Sequence, residues 1–195
     1  QDTGVEVIHL GHNRSVQEIV DAAIEEDVQG VAVSSYQGGH IEFFKYLVDL
    51  LRERGAPHVK VFGGGGGVIV LEEIRELEAY GVAKIYSPED GARMGLQGMI
   101  NHLVTTLDFS TVADFNFSLD GLAPENKRLV ANLISAAEMA KAHQNGHLAK
   151  LRAEFARRIG NRKVPVVGIT GTGGAGKSSL TDELIVRILH DLKQV

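Results

Sequence analysis

The feature that most limits the fold is an alternation. Short runs rich in Val and Ile take turns with longer segments of helical period, repeatedly, over the first 110 residues. "VEVIHLG" (5–11) reads as a strand. Ser15 and Glu18 then make a capping box, and Val16, Ile19, Val20, Ala23 and Ile24 share one helical face. "GVAVSSY" (30–36) is the next strand, and "HIEFFKYLVDLLRERG" a helix closed by Gly55. "VKVFGGG" is a strand, 71–80 a helix closed by Gly81, "AKIYSP" a strand, and 89–107 the last helix of the series. Such spacing predicts an α/β fold with a doubly wound parallel sheet. Ligands of these sheets lie beyond the carboxyl ends of the strands, near the switch point.

Composition narrows the classes. There are 0 Cys, which excludes disulfides and thiolate metal sites. No apolar run is long enough for a membrane span, and no basic-then-apolar start marks secretion. A cytoplasmic location without membrane partners is the expectation. Charge is divided unevenly. Residues 1–110 carry 8 Lys+Arg against 17 Asp+Glu, and residues 111–195 carry 12 against 8. The shift supports a boundary near Ser110, and the acidic first half repels nucleic acid.

Periodicity stops between 110 and 125. "ADFNFSLDGLAPEN" reads as an extended linker in which Phe115, Phe117 and Leu119 pack on something. Two helices follow, about 125–144 and 146–159. The first sets Leu129, Leu133, Ala137 and Ala140 along one stripe. The second is basic, with Lys150, Arg152, Arg157, Arg158, Arg162 and Lys163 against Glu154. It reads either as a solvated helix end or as a contact to an acidic domain or a nucleotide. The expected organisation is 1–109, a linker over 110–162, and a separate start of a domain at 163–195.

Three strand ends are unusual: "SSYQGGH", "FGGGGGV" and "YSPED" open on one sheet edge. Five successive glycines present no side chains. They form either a flexible turn or a surface where a flat ligand or another backbone lies close. Ser34 and Ser35 can donate to a ligand, whereas Gly38 and Gly39 read equally as helix capping. His9 and His12 stand on a strand end, where their spacing does not converge on a metal. His40 starts a helix beside the glycine-lined edge.

"GTGGAGKS" (171–178) matches G-x-x-x-x-G-K-[ST], between an expected buried strand and an expected helix. Its glycines, with Ala175, let backbone N–H groups of Gly173, Gly174, Ala175 and Gly176 turn toward phosphates, and the helix start adds positive potential. Lys177 reaches the β and γ phosphates as the catalytic cation, Ser178 can ligate Mg²⁺, and Ser179 is expected among the nucleotide-binding residues. The motif does not separate GTP from ATP. Only 15 residues follow Leu180, and none supplies a second Mg²⁺ carboxylate or a base-reading motif.

In order and spacing, "VSSYQGGH", "VFGGGGGVIV" and "AKIYSPED" resemble the cobalamin-binding domain of the adenosylcobalamin-dependent acyl-CoA mutases. With the linker and phosphate loop, the order is similar to mutases in which a cobalamin domain, a GTPase chaperone and a large barrel share one chain. The resemblance implies a flavodoxin-like sheet lacking its first strand, a helical linker, and the start of a P-loop G domain. It implies that Ser34 hydrogen-bonds the cofactor's displaced dimethylbenzimidazole tail. Gly66 and Gly67 would let the tail pass, with Tyr86 and Pro88 flanking it. Tyr36 stands where the family pattern S-x-L has Leu, so its contact differs; Gly38 and Gly39 border the same site. The family's D-x-H-x-x-G, whose His ligates cobalt, is absent, and His9 and His12 sit one strand too late to replace it. The expectation is therefore an internal segment of a longer protein. The whole would interconvert isobutyryl-CoA and n-butyryl-CoA by a radical rearrangement in the barrel, as a homodimer, with GTP gating cofactor loading and the segment alone inactive. The rivals are a mutase for another branched acyl-CoA and a non-catalytic cobalamin- or nucleotide-binding module. A receiver-like module would need clustered carboxylates at these strand ends, where glycines stand instead.

Overall fold

A computed structural model of the chain describes residues 1–36, 38–113, 118–142, 147–160 and 165–191. The chain divides into two bodies, Gln1–Phe155 and Ala156–Val195.

The first body is built on a parallel sheet in the order β1 (Gly30–Ser34), β2 (Lys60–Gly64), β3 (Lys84–Tyr86). The register sets Ala32 beside Phe62 and Ser34 beside Gly64, and Gly64 beside Tyr86. Side chains alternate across the sheet, so Val31, Val33, Val61, Gly63 and Ile85 share one face. Helices α1 (Val16–Glu25), α2 (His40–Glu53) and α3 (Leu71–Tyr80) supply the core on that face. Phe44, Leu47 and Leu77 are fully buried there. Gly63 admits that packing: a Cβ would stand 2.5 Å from the Phe44 ring. The opposite face carries Phe62, Gly64 and Tyr86, and meets α4 (Pro88–Thr106) through Met99 and His102.

The caps read from sequence are present. The Ser15 hydroxyl accepts from the Glu18 N–H at 3.2 Å, and Glu18 accepts from the Ser15 N–H at 2.9 Å. Ser87 and Asp90 repeat the box at the start of α4, with Pro88 in its first turn. Helix α4 breaks at Gly95, whose φ of 64° and ψ of 173° only glycine adopts readily.

One expected strand is absent. Residues 5–10 form no strand among the described residues, and Val7 and Ile8 are 50% and 43% exposed. Their apolar character is that of a strand, but a strand exists only where a neighbour completes its ladder.

The linker packs against the sheet domain. Helix α5 (Lys127–Ala142) lies on α1. Asp27, at φ 48°, accepts from the Thr111 hydroxyl at 2.6 Å and from Asn132 at 2.8 Å. Leu119, Leu133 and Leu151 form a second small core, to which Leu129 and Ala137 of the expected stripe add. Leu151 comes from α6 (His147–Ile159). Phe115, Phe117, Arg162 and Lys163 lie outside the described residues.

The second body holds the phosphate loop and α7 (Lys177–Asp191). The buried strand expected before the loop is not formed among the described residues. Residues 165–170 take no regular structure, and Val166 and Val167 are 93% and 76% exposed. A buried parallel strand needs partners on its edges and helices on its faces, and none of the described residues supplies them. Among the described residues no helix is long and apolar enough to cross a membrane.

Candidate functional site

The carboxyl ends of the three strands border an open hollow of about 380 Å³. Ser34 and Tyr36 line one side, Gly64, Gly65 and Gly66 the middle, and Tyr86, Ser87 and Pro88 the other. Gly91 and Met99 of α4 close it. The face of β1 that leads into the hollow is open, with Ala32 and Ser34 exposed. A hydroxyl donor thus stands at the mouth of a largely apolar trough, within the volume range of small-ligand sites.

The glycine run is shaped rather than slack. A Cβ on Gly65 would meet the Ser35 carbonyl oxygen at 2.4 Å. Gly66 and Gly67 hold φ of 55° and 91°, which other residues adopt at a cost. A Cβ on Gly66 would reach the Tyr36 ring at 2.8 Å, and one on Gly67 would reach Pro88 at 3.3 Å. Backbone therefore forms the floor, and aromatic and proline rings flank it.

Tyr86 is the best-anchored wall. Its ring stacks on Phe62 at 6.4 Å with 10° between planes, and meets His102 edge-on at 5.9 Å. Burial pushes its hydroxyl pKa up, so it stays protonated. At the rim, burial pushes the Asp90 carboxyl up, but the Ser87 N–H and the Lys84 ammonium outweigh it and hold it below the ordinary value. Lys84 bridges Glu78 at 3.0 Å and Asp90 at 3.4 Å.

Of the residues singled out in the sequence, Ser34, Tyr36, Gly66, Tyr86 and Pro88 come together in the hollow, and Gly67 sits behind Pro88. Gly38 and Gly39 do not line it. Gly38 is exposed, and Gly39, at φ 84°, is the N-cap of α2. His40 is also elsewhere: it is 8% exposed and its Nε2 lies 2.9 Å from Glu73 Oε2, fastening α2 to α3. Gly64, Gly65, Ser87, Gly91 and Met99 were not foreseen. The glycine run and the Ser87 capping box carried signals for the first three. Met99 carried none, because the break at Gly95 resets the helical phase. Among the described residues no group of three metal-binding side chains exists.

In the second body, Gly174 and Gly176 take φ of 74° and 75°. Lys177 opens α7 and donates to the carbonyls of Gly171 at 2.8 Å and Thr172 at 2.7 Å. The ammonium thus closes over its own loop. Gly173, Ala175, Ser178 and Ser179 are exposed around it.

The family model of the B12 binding domain matches residues 1–94. A fused isobutyryl-CoA mutase of Geobacillus kaustophilus is 55% identical over 197 residues, covering 100% of this chain and 18% of that protein. One from Cupriavidus metallidurans is 58% identical over 98% of this chain and 17% of that protein. The 2-hydroxyisobutanoyl-CoA mutase small subunit of Aquincola tertiaricarbonis is 35% identical over 85 residues, 44% of this chain and 61% of that protein. The chain spans less than a fifth of the length of the two fused relatives. Residues 1–94 are thus similar to the B12 binding domain family, and over its whole length the chain is similar to the fused isobutyryl-CoA mutases.

Proposed function

We infer that the chain is the cofactor-holding part of an adenosylcobalamin-dependent acyl-CoA mutase, followed by the phosphate loop of a GTPase chaperone. The hollow carries the reading. The dimethylbenzimidazole base of the cofactor's nucleotide tail is flat, apolar on its faces and polar at one edge. The side-chain-free glycine floor and the Tyr86 and Pro88 rings suit such a group, and the exposed Ser34 hydroxyl can bond its edge. When bound, the cofactor supplies radical carbon-skeleton chemistry. This chain's residues bind and orient: Gly65 and Gly66 admit the tail, Tyr86 fixes its plane, and Ser34 fixes its depth.

The names of the relatives support isobutyryl-CoA and n-butyryl-CoA as the pair interconverted by the whole protein. Substrate would be held by a separate barrel domain, in a cytoplasmic homodimer. GTP and Mg²⁺ would occupy the phosphate loop. Lys177 would exchange its two carbonyl partners for β and γ phosphate oxygens, and Ser178 would ligate the metal. GTP binding and hydrolysis would gate cofactor loading.

The test is an absorbance titration of adenosylcobalamin with the intact protein. Saturable conversion to a spectrum with the benzimidazole displaced from cobalt is the expected result. An unchanged free-cofactor spectrum at protein excess would overturn the reading.

A further inference from the structure

The Tyr86 hydroxyl has two partners on α4. It lies 3.2 Å from the Met99 carbonyl oxygen and 2.7 Å from His102 Nδ1. A phenol carries one proton and can also accept. With its proton given to Met99, the bond to His102 requires an N–H at Nδ1, so the imidazole donates. The ring of His102 stands edge-on to the Tyr86 ring, 5.9 Å away at 90°. Tyr86 is thereby held on three sides: by Phe62 behind, by a backbone carbonyl, and by an imidazole.

Both α4 partners lie beyond the break at Gly95, whereas Pro88 and Gly91 of the hollow lie before it. Tyr86 therefore ties the second half of the broken helix to the strand end. His102 does not line the hollow and is exposed, so its loss removes no core packing. What it can change is the freedom of one wall.

We propose that His102 is a positioning residue for the hollow: its Nδ1–H and ring edge hold Tyr86 in the orientation that receives a flat heteroaromatic group. The inference rests on the reading of the hollow as the site of the cofactor's nucleotide tail. It predicts discrimination, because only ligands that carry the tail should sense His102.

The experiment compares adenosylcobalamin with adenosylcobinamide, which lacks the nucleotide tail, by absorbance titration of the intact protein. Variants are His102→Phe, which keeps a ring and removes the donor, His102→Asn, which keeps a donor near the Nδ1 position, and Tyr86→Phe. Loss of one such bond weakens binding about threefold to tenfold. His102→Phe should weaken cobalamin by that factor and leave cobinamide unchanged, and His102→Asn should recover most of the loss. Tyr86→Phe combined with His102→Phe should do no more than either alone, as for residues acting through one bond. Equal weakening of both ligands, additive losses, or no change in His102→Phe would overturn the proposal while the tail-binding reading stood. Failure of the unaltered protein to bind either ligand would overturn both.

Discussion

The strand-end hollow and the phosphate loop differ in an instructive way. The loop has the sharper motif, eight residues in which spacing and residue type leave little freedom, yet its surroundings are bare. Val166 is 93% exposed, and Leu180, Val186 and Leu189 of α7 are 58%, 58% and 59% exposed. The hollow has a looser motif, glycines and hydroxyls at strand ends, yet it stands on a core in which Phe44, Leu47 and Leu77 are fully buried. A motif specifies local backbone and chemistry. A site also needs packing that holds it, and the two are written in different parts of a sequence.

The contrast can be broken most directly through stability. Phe44 sits under β2, with its ring against Gly63 and Ile85, so Phe44→Ala should cost about 3–5 kcal/mol. In residues 1–195 taken by themselves, Leu189→Ala removes a side chain that water already reaches and should stay within about 0.5 kcal/mol. Urea denaturation followed by circular dichroism measures both. Comparable losses from the two variants would show that α7 is as well packed as the sheet domain, and the contrast would fail.

Ligand binding sharpens it next. Lys177→Ala removes the proposed charged donor to phosphate, which should cost about 1.5–3 kcal/mol, or roughly 10- to 100-fold in GTP affinity. Calorimetry should show that loss with the cobalamin titration unaltered. An intact GTP affinity would detach Lys177 from nucleotide binding. Gly65→Ala acts in the other region. Its Cβ would meet the Ser35 carbonyl, so the backbone must shift at a cost of about 1–3 kcal/mol. Cobalamin should weaken in that variant and GTP should not. A Gly65→Ala protein that binds cobalamin normally would mean that the floor has no part in the site.

Much of this organisation was legible locally. The Ser15–Glu18 box, the helices closed by Gly55 and Gly81, and the strand ends that open on one edge follow from period, caps and turn residues. Two failures share a cause. Residues 5–10 and 165–170 have strand composition, but composition cannot supply a neighbouring strand. The long-range polar contacts were invisible for a different reason. Asp27 joins Thr111 and Asn132 across 84 and 105 residues, and Tyr86 finds His102 past a helix break. Such pairs have no period and no fixed spacing. Gly38 and Gly39 read both as site and as helix cap, and the structure makes Gly39 the N-cap of α2.

The smallest expected effect is on acid sensitivity, and it too separates the regions. Three helices of the first body begin with a carboxylate that accepts from its own N-cap residue. The Ser15 N–H and hydroxyl hold Glu18 below its ordinary pKa, and the Val70 N–H, with His40 second, does so for Glu73. At Asp90, burial raises the value, and the Ser87 N–H with Lys84 outweighs it. The first turn of α7 has no acidic residue at all. A carboxylate depressed in the folded state stabilises fully above its unfolded pKa and loses that contribution as pH falls through the folded value. The urea midpoint of the sheet domain should therefore drop between about pH 5 and pH 3, and drop less steeply in the Glu18→Gln, Glu73→Gln double variant. Both side chains are largely solvated, so the difference in slope should be modest and should shrink in high salt. A double variant as acid-sensitive as the unaltered protein would place the loss elsewhere, and would remove the caps from the list of features that distinguish the sheet domain from α7.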